Sequence, residues 1–129
     1  MPLAFTNVGR TTCALEGYGA ISMLDAKGVV LPFRYGHSSL YFVTAHPALV
    51  VLHPGGHAYE IVAKYRCDLG EAIAVARMRI VVPGSHEILF VSFGGESHRS
   101  AYCKGGRDDP GNLIGVATIT RSRGANLPR

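Results

Sequence analysis

The chain contains no tryptophan and only three cysteines, and no apolar run approaches the roughly 20 residues needed to cross a bilayer. Its longest apolar stretches, such as Ala48 to Leu52 and Ile88 to Val91, are far shorter. Met1 to Gly9 lacks the basic, apolar and small-residue regions of a signal peptide, so the signal of an exported form would lie outside this sequence. Charge is sparse. Thirteen Lys and Arg against nine Asp and Glu leave a formal net charge of +4, and the basic residues are scattered except for Arg121, Arg123 and Arg129. Without a basic stripe or a recognisable motif, nucleic acid is not an expected partner. Cys13, Cys67 and Cys103 sit at no zinc spacing and form no C-x-x-C pair. They admit two readings: one disulfide with one free thiol, or three reduced, buried thiols.

What is present is glycine, proline and short apolar runs. Sixteen glycines and seven prolines in 129 residues are more than a helical bundle would tolerate. The length suits one domain, 1–129, large enough to bury roughly two-thirds of its unfolded surface. The apolar runs alternate with turn-forming clusters, which predicts an all-β, immunoglobulin-like sandwich of two antiparallel sheets. Leu3–Thr6, Thr12–Leu15 and Ala20–Leu24 read as strands, and the turn Asp25-Ala26-Lys27-Gly28 leads into a fourth, Val29–Phe33. Gly36–Pro47 is a long connection holding a short edge strand, Leu40–Val43. Ala48–Leu52 and Ala58–Tyr65 flank the turn Pro54-Gly55-Gly56. Asp68–Val75 permits a helical turn or two, with Asp68 as N-cap. Met78, Ile80 and Val82 alternate with Arg77, Arg79 and Val81 and so define a core face, and Glu87–Phe93 pairs with that strand across Pro83-Gly84. Gly94–Asn112 reads as a surface loop and Leu113–Thr120 as the closing strand.

Several residue groups could carry chemistry. His53 and His57 flank the Pro-Gly-Gly turn and are the candidate metal ligands. Two are too few for zinc or copper, and His37, His46, His86 and His98 could join them only through the fold. Ser97-His98 and Asp108-Asp109 contain the residue types of a hydrolytic triad, but no nucleophile-elbow sequence surrounds any serine. Asp108-Asp109-Pro110-Gly111 reads first as a turn, and Gly94-Gly95 and Gly105-Gly106 lack the setting of a phosphate loop. Phe33, Tyr35, Tyr41 and Phe42 gather around the irregular connection as a candidate binding patch or as caps on the core. Tyr18 is expected to anchor a turn through its hydroxyl.

Phe5-Thr6-Asn7-Val8-Gly9, then Cys13-Ala14-Leu15-Glu16-Gly17-Tyr18, then Met23-Leu24-Asp25-Ala26-Lys27-Gly28 resembles the opening of the domain of unknown function 4232 family. The resemblance continues through Leu52-His53-Pro54-Gly55-Gly56-His57-Ala58, Cys67, Met78 to Gly84, and Cys103 with the final strand. It implies an exported or lipid-anchored actinobacterial domain, common in mycobacteria and streptomycetes, with a β-sandwich fold, paired cysteines and no catalytic residues. It also implies a Cys67–Cys103 disulfide, with Cys13 left as a free thiol. Two features depart from the family pattern: Gly19 stands where proline usually follows Gly-Tyr, and the segment that customarily precedes Leu3, a first strand often carrying a cysteine, is not in this sequence.

These readings point to a secreted or cell-envelope binding module with no catalytic activity and no cofactor, whose partner is a protein or a glycan. The alternatives are a small-ligand or metal carrier using the loop histidines and, third, a hydrolase. A sheet edge left open by an absent first strand predicts a homodimer through edge pairing or exchange of the N-terminal strand.

Overall fold

The computed structural model describes residues 1–39, 42, 46–67, 72–85, 87–93 and 101–122. These contain eleven strands: β1 (Pro2–Thr6), β2 (Cys13–Leu15), β3 (Ala20–Leu24), β4 (Arg34–Gly36), β5 (Val50–Leu52), β6 (His57–Lys64), β7 (Ala72–Ala74), β8 (Arg77–Val81), β9 (Ile88–Ser92), β10 (Ala101–Cys103) and β11 (Leu113–Val116). A 3-10 turn, Pro110–Asn112, precedes β11. The fold is an all-β sandwich, and no α-helix occurs among the described residues.

One four-stranded sheet has the order β1-β6-β11-β4, and a three-stranded sheet has the order β3-β8-β9. Two-stranded ribbons, β2-β5 and β7-β10, complete the pairing. Inward residues of β1, β6 and β11 (Leu3, Phe5, Ala58, Val62, Ile114, Val116) share one core with Leu15, Ile21, Met23, Val50, Leu52, Met78 and Ile80 from β2, β3, β5 and β8. The period of two places Met78 and Ile80 in that core, as their alternation with arginine predicts. A second, smaller cluster of Phe42, Ile61, Ala63 and Ala117 covers the other face of β6. Strand β6 is therefore buried from both sides.

The structure changes four details of the expected layout. β4 runs parallel to β11, so the larger sheet is mixed. No hairpin links these two strands, which lie far apart in sequence, so nothing forces them antiparallel. Val29–Phe33 does not form a full strand: Val30 makes one bridge to Leu24, Leu31 donates its N–H to the Met23 carbonyl, and regular pairing begins at Arg34, after Pro32. Proline has no N–H to offer a ladder. Ala72–Ala74 is a strand rather than a helical turn, because β10 pairs with it residue for residue; residues 68–71, including the proposed cap Asp68, lie outside the described set. Gly94–Asn112 is more than a surface loop, since it contains β10 and a buried Asn112.

Candidate functional site

The inward row of β6 runs Ala58, Glu60, Val62, and so places a carboxyl group between two core aliphatics. Glu60 retains 1% of its exposure. Its backbone pairs with Leu3 of β1, and its side chain reaches the connection between β2 and β3, where Gly19 N–H donates to Oε2 at 3.0 Å. Oε1 has no hydrogen-bond partner. Burial pushes the Glu60 carboxyl up to about 7, against a smaller downward pull from the Gly19 N–H.

Three of the four residues of this connection are held in place, Glu16 being exposed. Gly17 accepts from Thr118 Oγ1 at 3.2 Å and from Ile119 N–H at 2.8 Å. Tyr18 stacks on His37 with ring centroids 3.6 Å apart and planes 4° from parallel. At Gly19, a Cβ would stand 2.8 Å from Glu60 Oε1 and 3.1 Å from Ile80 Cγ2. A side chain here would have to push the Glu60 carboxyl or the Ile80 methyl aside, so glycine lets the backbone close tightly over the acid. A proline at this position would have no N–H for Oε2.

Elsewhere, polar residues that stood out in the sequence serve the fold. Cys67 and Cys103 form a disulfide across a sequence separation of 36, tying the end of β6 to the β7-β10 ribbon. Cys13 is a free, exposed thiol. Asn112 fastens the adjoining loop: its Oδ1 accepts from Cys103 N–H at 2.6 Å, and its amide donates to the Cys103 and Gly106 carbonyls at 2.9 and 2.8 Å. Asp109 caps the 3-10 turn by accepting from Gly111 N–H at 2.8 Å. Arg34 Nε, from β4, donates to the Arg107 carbonyl and binds the same loop. Lys64 Nζ donates to the Tyr65 carbonyl and lies 5.9 Å from the Phe33 ring centre. Burial lowers the Lys64 pKa, partly offset by Asp109.

Of the two readings of the aromatic group, that of caps on the core describes Phe33 and Phe42. Phe33 and Phe42 are buried, Phe33 in the main core with Tyr102 edge-on at 5.1 Å and Phe42 in the second cluster, because both fill space between strands. Tyr35 is exposed, with its hydroxyl pKa raised by partial burial, and Tyr41 lies outside the described residues. The two turn histidines take different partners: His53 Nδ1 meets Thr12 Oγ1 at 3.2 Å, whereas His57 Nδ1 meets Thr6 Oγ1 at 2.9 Å. His37 is engaged with Tyr18, His46 is exposed, and His86, Ser97 and His98 lie outside the described residues. Among the described residues no three His, Cys, Asp or Glu side chains form a metal-sized group.

A surface not singled out in the sequence lies on the β3-β8-β9 sheet. Ile88 and Phe90 of β9 are 46% and 53% exposed. The register sets Arg79 opposite Phe90 and Val81 opposite Ile88, while the Arg77 guanidinium stands 5.2 Å from the Phe90 ring centre. The sequence signal was available: the positions alternating with Met78 and Ile80, and those paired with them, must face away from the core.

No curated protein and no solved structure is significantly similar to the chain. A family model does match, over residues 1–116. With the matched span reaching from β1 through β11, the chain belongs to the family described as Domain of unknown function (DUF4232).

Proposed function

We propose that this protein is a non-catalytic binding module of the actinobacterial cell envelope or extracellular space, and that it contacts a protein partner through the outer face of the β3-β8-β9 sheet. The observation that carries this reading is the exposed pair Ile88 and Phe90 beside Arg77 and Arg79. Large apolar side chains joined to arginine are the usual anchors of protein interfaces. The arginines favour a partner carrying acidic groups. The Cys67–Cys103 disulfide supports residence in an oxidising compartment, and among the described residues no helix is long and apolar enough to cross a membrane.

Sedimentation with actinobacterial envelope fractions tests the reading. Phe90→Ser should weaken retention at least tenfold while leaving the circular dichroism spectrum unchanged, and Arg77→Ser should do so less. Retention that is unchanged in Phe90→Ser removes this face from consideration, and retention lost on glycosidase but not protease treatment of the fraction assigns the partner to glycan. Self-association through a sheet edge belongs to the same reading, since β1 and β9 each end a sheet. Light scattering at micromolar concentration should give a dimer mass; a monomer mass sets the homodimer aside.

A further inference from the structure

A buried carboxylate is stable only with several hydrogen bonds or an opposite charge, and Glu60 has one N–H and an empty second oxygen. The groups around it offer no compensation. β1 carries no ionisable side chain, and the ammonium of Met1 before it, its pKa lowered by burial, donates to the Val62 carbonyl and leaves Glu60 Oε1 without a partner. On β6, Lys64 is bonded at the Tyr65 carbonyl, while His57 meets Thr6. On β8, Arg77 and Arg79 alternate with the inward Met78 and Ile80 and so face the other way. In the connection, Glu16 is exposed and Tyr18 lies on His37. Along 117–120 the one buried polar side chain is Thr118, directed to Gly17.

We propose that Glu60 and the Gly17–Gly19 connection form a proton-operated latch: the neutral carboxyl sits sealed beneath Gly19, and release of its proton to solvent lifts the Tyr18–Gly19 end of the connection from β6 so that water reaches the carboxylate. Gly17 remains tied to Thr118 and Ile119, so the Tyr18–Gly19 end of the connection is the part suited to yield. This end lies in a short irregular segment between two strands, and its seal over Glu60 consists of a single N–H and the close approach of a residue without a side chain. Lifting it also separates Tyr18 from His37 and uncovers a ring that packs against the main core. The raised proton affinity of the acid agrees with this geometry and sets the transition near neutral pH. The latch rests on the β6 side of the sandwich and does not depend on the reading of the β9 face.

The test is an NMR titration of the oxidised full chain. The Glu60 carboxyl carbon should titrate well above the ordinary glutamate range, and hydrogen-exchange protection of the Gly19 amide should fall at least tenfold across the same midpoint. Because the His37 ring stacks on Tyr18, the measurement is repeated in His37→Phe, which keeps a ring on Tyr18 and should keep the transition. Glu60→Gln, neutral at every pH, should hold Gly19 protected throughout. An ordinary Glu60 midpoint overturns the latch. So does Gly19 protection that is unchanged while the carboxyl ionises, since the charge would then be tolerated in place. Should Glu60→Gln fail to fold, the two wild-type readouts still decide the matter.

Discussion

In the loop from Cys103 to Asn112, a wholly buried amide has its oxygen and both of its hydrogens engaged by backbone partners. Beneath Gly19, an acid buried to nearly the same degree has one partner and one empty oxygen. The first side chain replaces water completely, and its loss would orphan backbone groups that cannot be solvated. The second replaces water in part, so the fold is held against it rather than by it. Burial alone therefore says little about what a polar side chain contributes; the count of satisfied groups decides the sign.

The largest effect should come from the covalent fastener of the first region. Replacing Cys67 and Cys103 together by serine should cost about 4 kcal/mol in urea unfolding, from the chain entropy of a closed loop with this separation of 36. A loss below about 1 kcal/mol would mean that Asn112 and its neighbours hold the loop unaided. Next, Asn112→Ala removes three hydrogen bonds, each worth about 1 kcal/mol net, and should destabilise the oxidised protein by about 3 kcal/mol.

Glu60 should behave in the opposite sense. Its folded value of about 7 lies above the ordinary 4.5, so the folded state binds the proton more tightly than the unfolded state does. The resulting stability is complete below 4.5 and is lost as pH rises through about 7. Between pH 5 and pH 7 this amounts to about 2 kcal/mol by linkage, read as a falling midpoint in urea that Glu60→Gln abolishes. A midpoint that instead rises across this interval in the wild type, and not in the variant, contradicts the contrast. The smallest effect belongs to Asp109→Ala, about 1 kcal/mol for a lost cap, with the loop otherwise held by Asn112 and Arg34.

Most of the frame is visible in the chain because it depends on near neighbours. Met78 and Ile80 reveal their face by alternation, and Gly28, Gly55 and Gly84 mark turns where φ is positive. Ala72–Ala74 misleads because its own propensity permits helix, and only the distant β10 makes it a strand. The candidate site is less visible for a related reason. A glutamate in the run Ala58-Tyr59-Glu60-Ile61-Val62 is conspicuous on an inward position, but the Gly19 that covers it lies 41 residues away, and nothing local announces the encounter. Phe33 and Phe42 show where the sequence leaves two readings open: aromatic residues beside an irregular connection suit a surface patch or a core cap, and only the packing of distant strands draws these two into the core.

The sulfur bridge has one more consequence, for survival among proteases. β8 and β9 both lie between Cys67 and Cys103, and the turn joining them exposes Gly84 and Ser85. A cut in that turn leaves the two pieces linked through sulfur and still paired along five residues of β8 and β9. A nicked molecule would keep its mass on a non-reducing gel and separate only on reduction, so damage at this turn need not end the working life of the domain.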